Sequence, residues 1–76
     1  SKISIYPIPA KDFVTIQLED VEGQSLELFN TLGQKLMFET IENNGINLPL
    51  DNLENGVYWL KIQTDKGTLT KRLIVE

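Results

Sequence analysis

The sequence predicts an all-β domain, a seven-stranded antiparallel sandwich of immunoglobulin-like type, and three observations carry that expectation. Wherever apolar residues show a clear period it is two, as on a strand, and not 3.6, as on a helix. Clusters of Gly, Asn, Asp and Pro interrupt the chain at intervals of about 8–12 residues, the rhythm of strands joined by turns. The 76 residues, 41% of them from the set AVILMFWYC, suffice for one core and little more, so 1–76 is read as a single domain.

The first strand places Ile3 and Ile5 against Lys2 and Ser4, and Pro7 and Pro9 end it, since proline fixes φ and donates no hydrogen bond. In the second, Val14, Ile16 and Leu18 alternate with Thr15 and Gln17. Glu22-Gly23 leads into the third, where Leu26 and Leu28 alternate with Ser25 and Glu27, and Leu32-Gly33 turns it into the fourth. There Leu36 and Phe38 are expected to continue the inward set around Met37. Asn43-Asn44-Gly45 precedes a short strand with Ile46 and Leu48. Asp51 to Asn55 is the one place where a single helical turn is expected, capped by Asp51. Asn55-Gly56 opens the sixth strand, with Tyr58, Leu60 and Ile62 in phase, and Asp65-Lys66-Gly67 is a hairpin signal before the last strand, Leu69 to Val75. The expected core is Ile5, Val14, Ile16, Leu18, Leu26, Leu28, Leu36, Tyr58, Leu60, Ile62 and Leu73.

Composition removes most chemistry. Histidine and cysteine are both absent, which excludes the commonest general base, thiolate metal sites and a disulfide framework. Ser1, Ser4 and Ser25 therefore have no imidazole to activate them. The acidic run Asp51-Asn52-Leu53-Glu54-Asn55-Gly56 fails as an EF-hand loop, because the third and twelfth loop positions are Leu53 and Ile62. Glu19, Asp20 and Glu22 read as solvated turn carboxylates, although acidic turns could collect a calcium ion loosely. No phosphate-binding glycine loop is present, and no cofactor is expected. No apolar run approaches the length of about 20 residues that a membrane-spanning helix needs.

Charge is distributed unevenly. The net charge is −4, which disfavours nucleic acid as a partner. Nine acidic residues and the single base Lys35 fall between Asp12 and Glu54, whereas Asn55 to Val75 holds Lys61, Lys66, Lys71 and Arg72 against Asp65 alone. Lys71 and Arg72, adjacent on a strand, must project to opposite faces. Lys71, in phase with Leu69, Leu73 and Val75, is expected either to snorkel past the core rim or to sit where that rim opens to solvent, and Arg72 outward. Trp59 is expected outward as Tyr58 turns inward, where it could stack on a sugar or a partner or simply cover a sheet edge. Phe13 and Phe29 share that ambiguity.

Four landmarks, in order, resemble the type A C-terminal sorting domain of type IX secretion cargo from Bacteroidetes-type bacteria. They are Tyr6-Pro7-Ile8-Pro9-Ala10; Leu28-Phe29-Asn30-Thr31-Leu32-Gly33-Gln34; Leu53 through Gly56-Val57-Tyr58 to Ile62; and Thr70-Lys71-Arg72-Leu73-Ile74-Val75. The chain departs from the pattern at Ile8, where the family usually has Asn, and at Glu76, where Lys is common. The resemblance implies a non-catalytic address label on a larger secreted protein. It implies an upstream cargo domain in the same chain, passage through the periplasm, and recognition by the outer-membrane translocon with its shuttle and sortase components. It also implies delivery to the medium or the cell surface after cleavage near or upstream of Ser1. The absence of an initiator Met and of a signal peptide agrees with a segment of a longer protein. Tyr6, Pro7, Pro9, Gly33, Gln34, Gly56, Tyr58, Lys71 and Arg72 are the implied recognition residues. A sandwich of this kind could instead be an accessory or carbohydrate-binding domain of a secreted enzyme, using Trp59 and the acidic turns.

Overall fold

The computed structural model describes residues 3–76; Ser1 and Lys2, with the alternation expected of Lys2, lie outside the described residues. Seven strands form: β1 (Ile3–Tyr6), β2 (Phe13–Leu18), β3 (Gly23–Phe29), β4 (Lys35–Thr40), β5 (Gly45–Pro49), β6 (Gly56–Thr64) and β7 (Gly67–Val75). They pair antiparallel in two sheets, one ordered β1-β2-β5 and the other β4-β3-β6-β7. The connections β2–β3, β4–β5 and β5–β6 therefore cross between sheets, which is how an immunoglobulin-like sandwich encloses its core.

Alternation along each strand delivers one apolar set inward. Val14, Ile16, Leu18 and Leu48 come from the smaller sheet, and Leu26, Leu28, Tyr58, Leu60, Ile62, Leu73 and Val75 meet them from the larger. Ala10, Ile41 and Leu50, from outside the strands, complete the buried cluster. Of the expected core, nine side chains are buried and Ile5 packs partly buried against them.

Leu36 is the exception: it is 43% exposed, and Met37 packs on the core instead. The register explains why. Leu28 pairs with Met37 and Glu27 with Phe38, so Met37 follows Leu28 inward and Phe38 follows Glu27 outward. An irregularity between Leu28 and Phe29 then places Lys35 opposite Phe29 and leaves Leu36 in a bulge. Leu-Met-Phe offers apolar residues in both phases of the strand, and a one-residue slip exchanges the faces.

The segment Asp51 to Asn55 forms no helix; Leu53 N donates to Leu50 O at 3.0 Å, closing a simple turn. The β6–β7 hairpin matches expectation. Thr64 pairs with Gly67 across Asp65-Lys66, and the Thr64 hydroxyl donates to Gly67 O at 3.0 Å and accepts from Lys66 N at 3.1 Å. Gly45 is required by its neighbour, because a Cβ there would lie 2.5 Å from the Ile16 carbonyl oxygen.

Candidate functional site

The opening landmark is a strap between the sheets. Tyr6 ends β1 on the outer face, 46% exposed, with its hydroxyl donating to Gln17 Oε1 at 2.8 Å. Pro7 and Pro9, each following a cis peptide bond, end the strand and carry the chain across the sandwich. Ala10 arrives fully buried beside the last strand. Its N–H donates to Ile74 O at 2.7 Å and its carbonyl accepts from Glu76 N at 2.8 Å, a parallel bridge on the edge of β7 that β6 does not cover. Ala10 was not among the expected recognition residues. The available signal is that only a small side chain suits a strap pressed between two sheets.

The second landmark is a turn organised by Asn30. Its side-chain carbonyl accepts from Leu32 N and Gln34 N, each at 2.9 Å, and its Nδ2 donates to Gln34 Oε1 at 2.7 Å. Gly33, at φ +84°, supplies the left-handed residue that lets Gln34 fold back onto Asn30. Gln34 is thus engaged within the turn, and Asn30 is the organising group. The bond from Leu32 N to Asn30 Oδ1, two residues back, is that of an Asx turn.

The third landmark is a corner. Gly56 enters β6 at φ +155°, and the buried Tyr58 reaches back to donate from its hydroxyl to the Glu54 carbonyl at 2.5 Å. A Tyr near the start of the sixth strand bonded to backbone a few residues upstream is the tyrosine corner of such sandwiches. Tyr58 thus packs in the core and positions the corner.

The last landmark separates its two cations. Lys71 pairs with the buried Leu60, so it takes the inward phase yet stays exposed at the rim, while Arg72 pairs with Trp59 on the outer face. Both expectations hold. On that outer face Lys35 Nζ lies 2.7 Å from Glu27 Oε2 and 5.9 Å from the Phe38 ring centre. The Lys35 hydrogen bond, with the charges of Lys35 and Lys61, holds the Glu27 carboxyl below its ordinary value against a smaller opposing effect of burial.

Register brings the four landmarks together at one end of the sandwich, from which the last two run along β6 and β7. The end of β3 lies beside the start of β6, the start of β6 beside the end of β7, and Ala10 ties the β1–β2 connection to that same point. The acidic turns around Asp20, Glu22 and Asp65 occupy the opposite end. Among the described residues no group of three or more His, Cys, Asp or Glu converges as a metal site, and no helix is long and apolar enough to cross a membrane.

The family described as secretion system C-terminal sorting domain matches residues 4–76. The ulvan lyase NLR42 of Nonlabens ulvanivorans is 26% identical over 77 residues, an alignment that covers 99% of this chain and 14% of that protein.

Proposed function

The chain belongs to the secretion system C-terminal sorting domain family, the type IX export signal, and on that premise we propose that its landmark end and terminal strand form the recognition element read during outer-membrane passage. Proteins bearing this domain are exported to the cell surface or the medium. The chain spans 14% of the length of the lyase it matches, in keeping with a small module carried by a larger cargo.

In this reading residues 1–76 are one folded, non-catalytic label. The cargo lies upstream, a shuttle and translocon in the outer membrane bind the label, and a sortase removes it near or before Ser1. Tyr6, Pro7 and Pro9 deliver Ala10 to the β7 edge; Gly33 with Gln34, and Gly56 with Tyr58, set the two adjoining loops; Lys71 and Arg72 present charge on the final strand.

The bridge from Ala10 to Ile74 and Glu76 is the observation that supports this most. It joins the first and last landmarks, more than sixty residues apart in sequence, into one surface that exists only when the domain is folded. A reporter fused ahead of the domain tests it in a cell with a type IX system. Changing Lys71 and Arg72 together to Glu is expected to trap the reporter in the periplasm while the melting temperature stays near that of the parent, since exposed charges contribute little to stability. Export of that folded variant at the parent's level would remove both residues from the signal.

A further inference from the structure

The outer face of the β4-β3-β6-β7 sheet carries an apolar stripe that none of the described residues covers. Trp59, 40% exposed, stands in one row between Phe29 on β3 and Arg72 on β7. Val57, 39% exposed, and its partner Ile74 extend the stripe toward the landmark end, and Phe38, 57% exposed, flanks it on β4. An isolated exposed Leu or Phe is ordinary, whereas a contiguous apolar patch with Trp at its centre and Arg beside it has the make-up of a protein-binding hot spot.

Charge on this face runs against the charge of the chain. The outward strand positions hold Lys35, Lys61 and Arg72 against Glu27, which Lys35 already pairs, in a molecule of net charge −4. Two copies meeting face to face would bring like charges together, so a second copy of the chain does not suit the surface. Its complement is an apolar centre bordered by carboxylates. Half-exposed aliphatic groups such as Val57 and Ile74 match a protein's apolar centre better than the hydroxyl-rich surface of a polysaccharide.

We propose that this face, anchored by Trp59 and bordered by Arg72 and Lys61, docks onto an acidic protein surface of the export machinery. The proposal rests on the sorting function above and gives Arg72 its setting, on the docking face beside Trp59. The cation border steers the encounter, and burying Trp59 holds the complex.

The same fused reporter tests it, with Trp59→Ser and Arg72→Glu as docking-face variants. Phe13→Ser, on the outer face of the other sheet and 45% exposed in the parent, is the control. Export is expected to fall about tenfold or more for each docking-face variant and to stay at the parent's level for the control. Melting of each purified domain identifies any variant that has unfolded, and Arg72→Glu, which alters only an exposed charge, keeps the test decisive if Trp59→Ser does not fold. Docking-face variants exported like the parent, while removal of the whole domain retains the reporter, would overturn this surface and leave the sorting function standing. Export without the domain would overturn both. Trp59 is the sole tryptophan, so its fluorescence reports on this face directly. No change is expected on adding alginate or phosphatidylglycerol vesicles, and a saturable shift with either would assign the face to polysaccharide or lipid and overturn a protein partner.

Discussion

Tyr58 shows how a residue inside a family landmark can matter through the fold alone. Its ring is buried and its hydroxyl closes the corner on the Glu54 carbonyl, so Tyr58→Phe keeps the packing and deletes one hydrogen bond. The expected cost is about 1 kcal/mol. In a domain of this size that lowers the melting temperature by about 4–8 °C, measurable by thermal denaturation, with export unchanged below the transition. Glu27 gives a pH test. Folding lowers its pKa through Lys35, so the pair stabilises the fold above the unfolded carboxylate's ordinary value of 4.5, and that stability is lost as pH falls through the lower folded value. Glu27→Gln should therefore melt below the parent at neutral pH, and the difference should close in acid. Added salt should narrow it as well, since the pair is on the surface.

At the scale of elements, β7 serves the core and carries Arg72 of the proposed docking face. Leu73 and Val75 are buried, and each such side chain contributes roughly 1.5–3 kcal/mol on burial. Deleting residues 70–76 should therefore unfold the domain, seen as loss of a cooperative melt, and retention of a reporter by that truncation says nothing about recognition. Point changes at Arg72 avoid this difficulty. The strap gives an independent probe. Ala10 is fully buried where it bridges to Ile74 and Glu76, and Ala10→Leu should cost about 1–3 kcal/mol by overpacking. Hydrogen exchange should then rise first at Glu76 N–H, whose acceptor is the Ala10 carbonyl.

For the molecule as a whole, a Cα radius of gyration of 11.5 Å matches the value of about 11.4 Å expected for a folded chain of this length. The two sheets close on one core, and among the described residues no buried side-chain polar atom lacks a hydrogen-bond partner. Stability resting on packing alone should be indifferent to metal. Melting curves in millimolar calcium and in chelator are expected to superimpose, and a calcium-dependent rise would reveal a site in the acidic turns.

Strand count, strand order along the chain and most of the core were legible in the sequence, because period-two alternation in Val14-Ile16-Leu18 or Tyr58-Leu60-Ile62 admits only one buried face. The outward aim of Trp59 and Arg72 followed from the same rule, and the order of the landmarks identified the family. Where both phases are apolar, as in Leu36-Met37-Phe38, local pattern is silent, and pairing with β3 across a bulge chose Met37. Pairing between strands distant in sequence likewise decided that Ala10 meets Ile74 and Glu76, and that Phe29, Trp59 and Arg72 share one row. Alternation assigns each residue a side of its own strand, but a surface built from several strands depends on register, which is fixed only when the two sheets bury their common core.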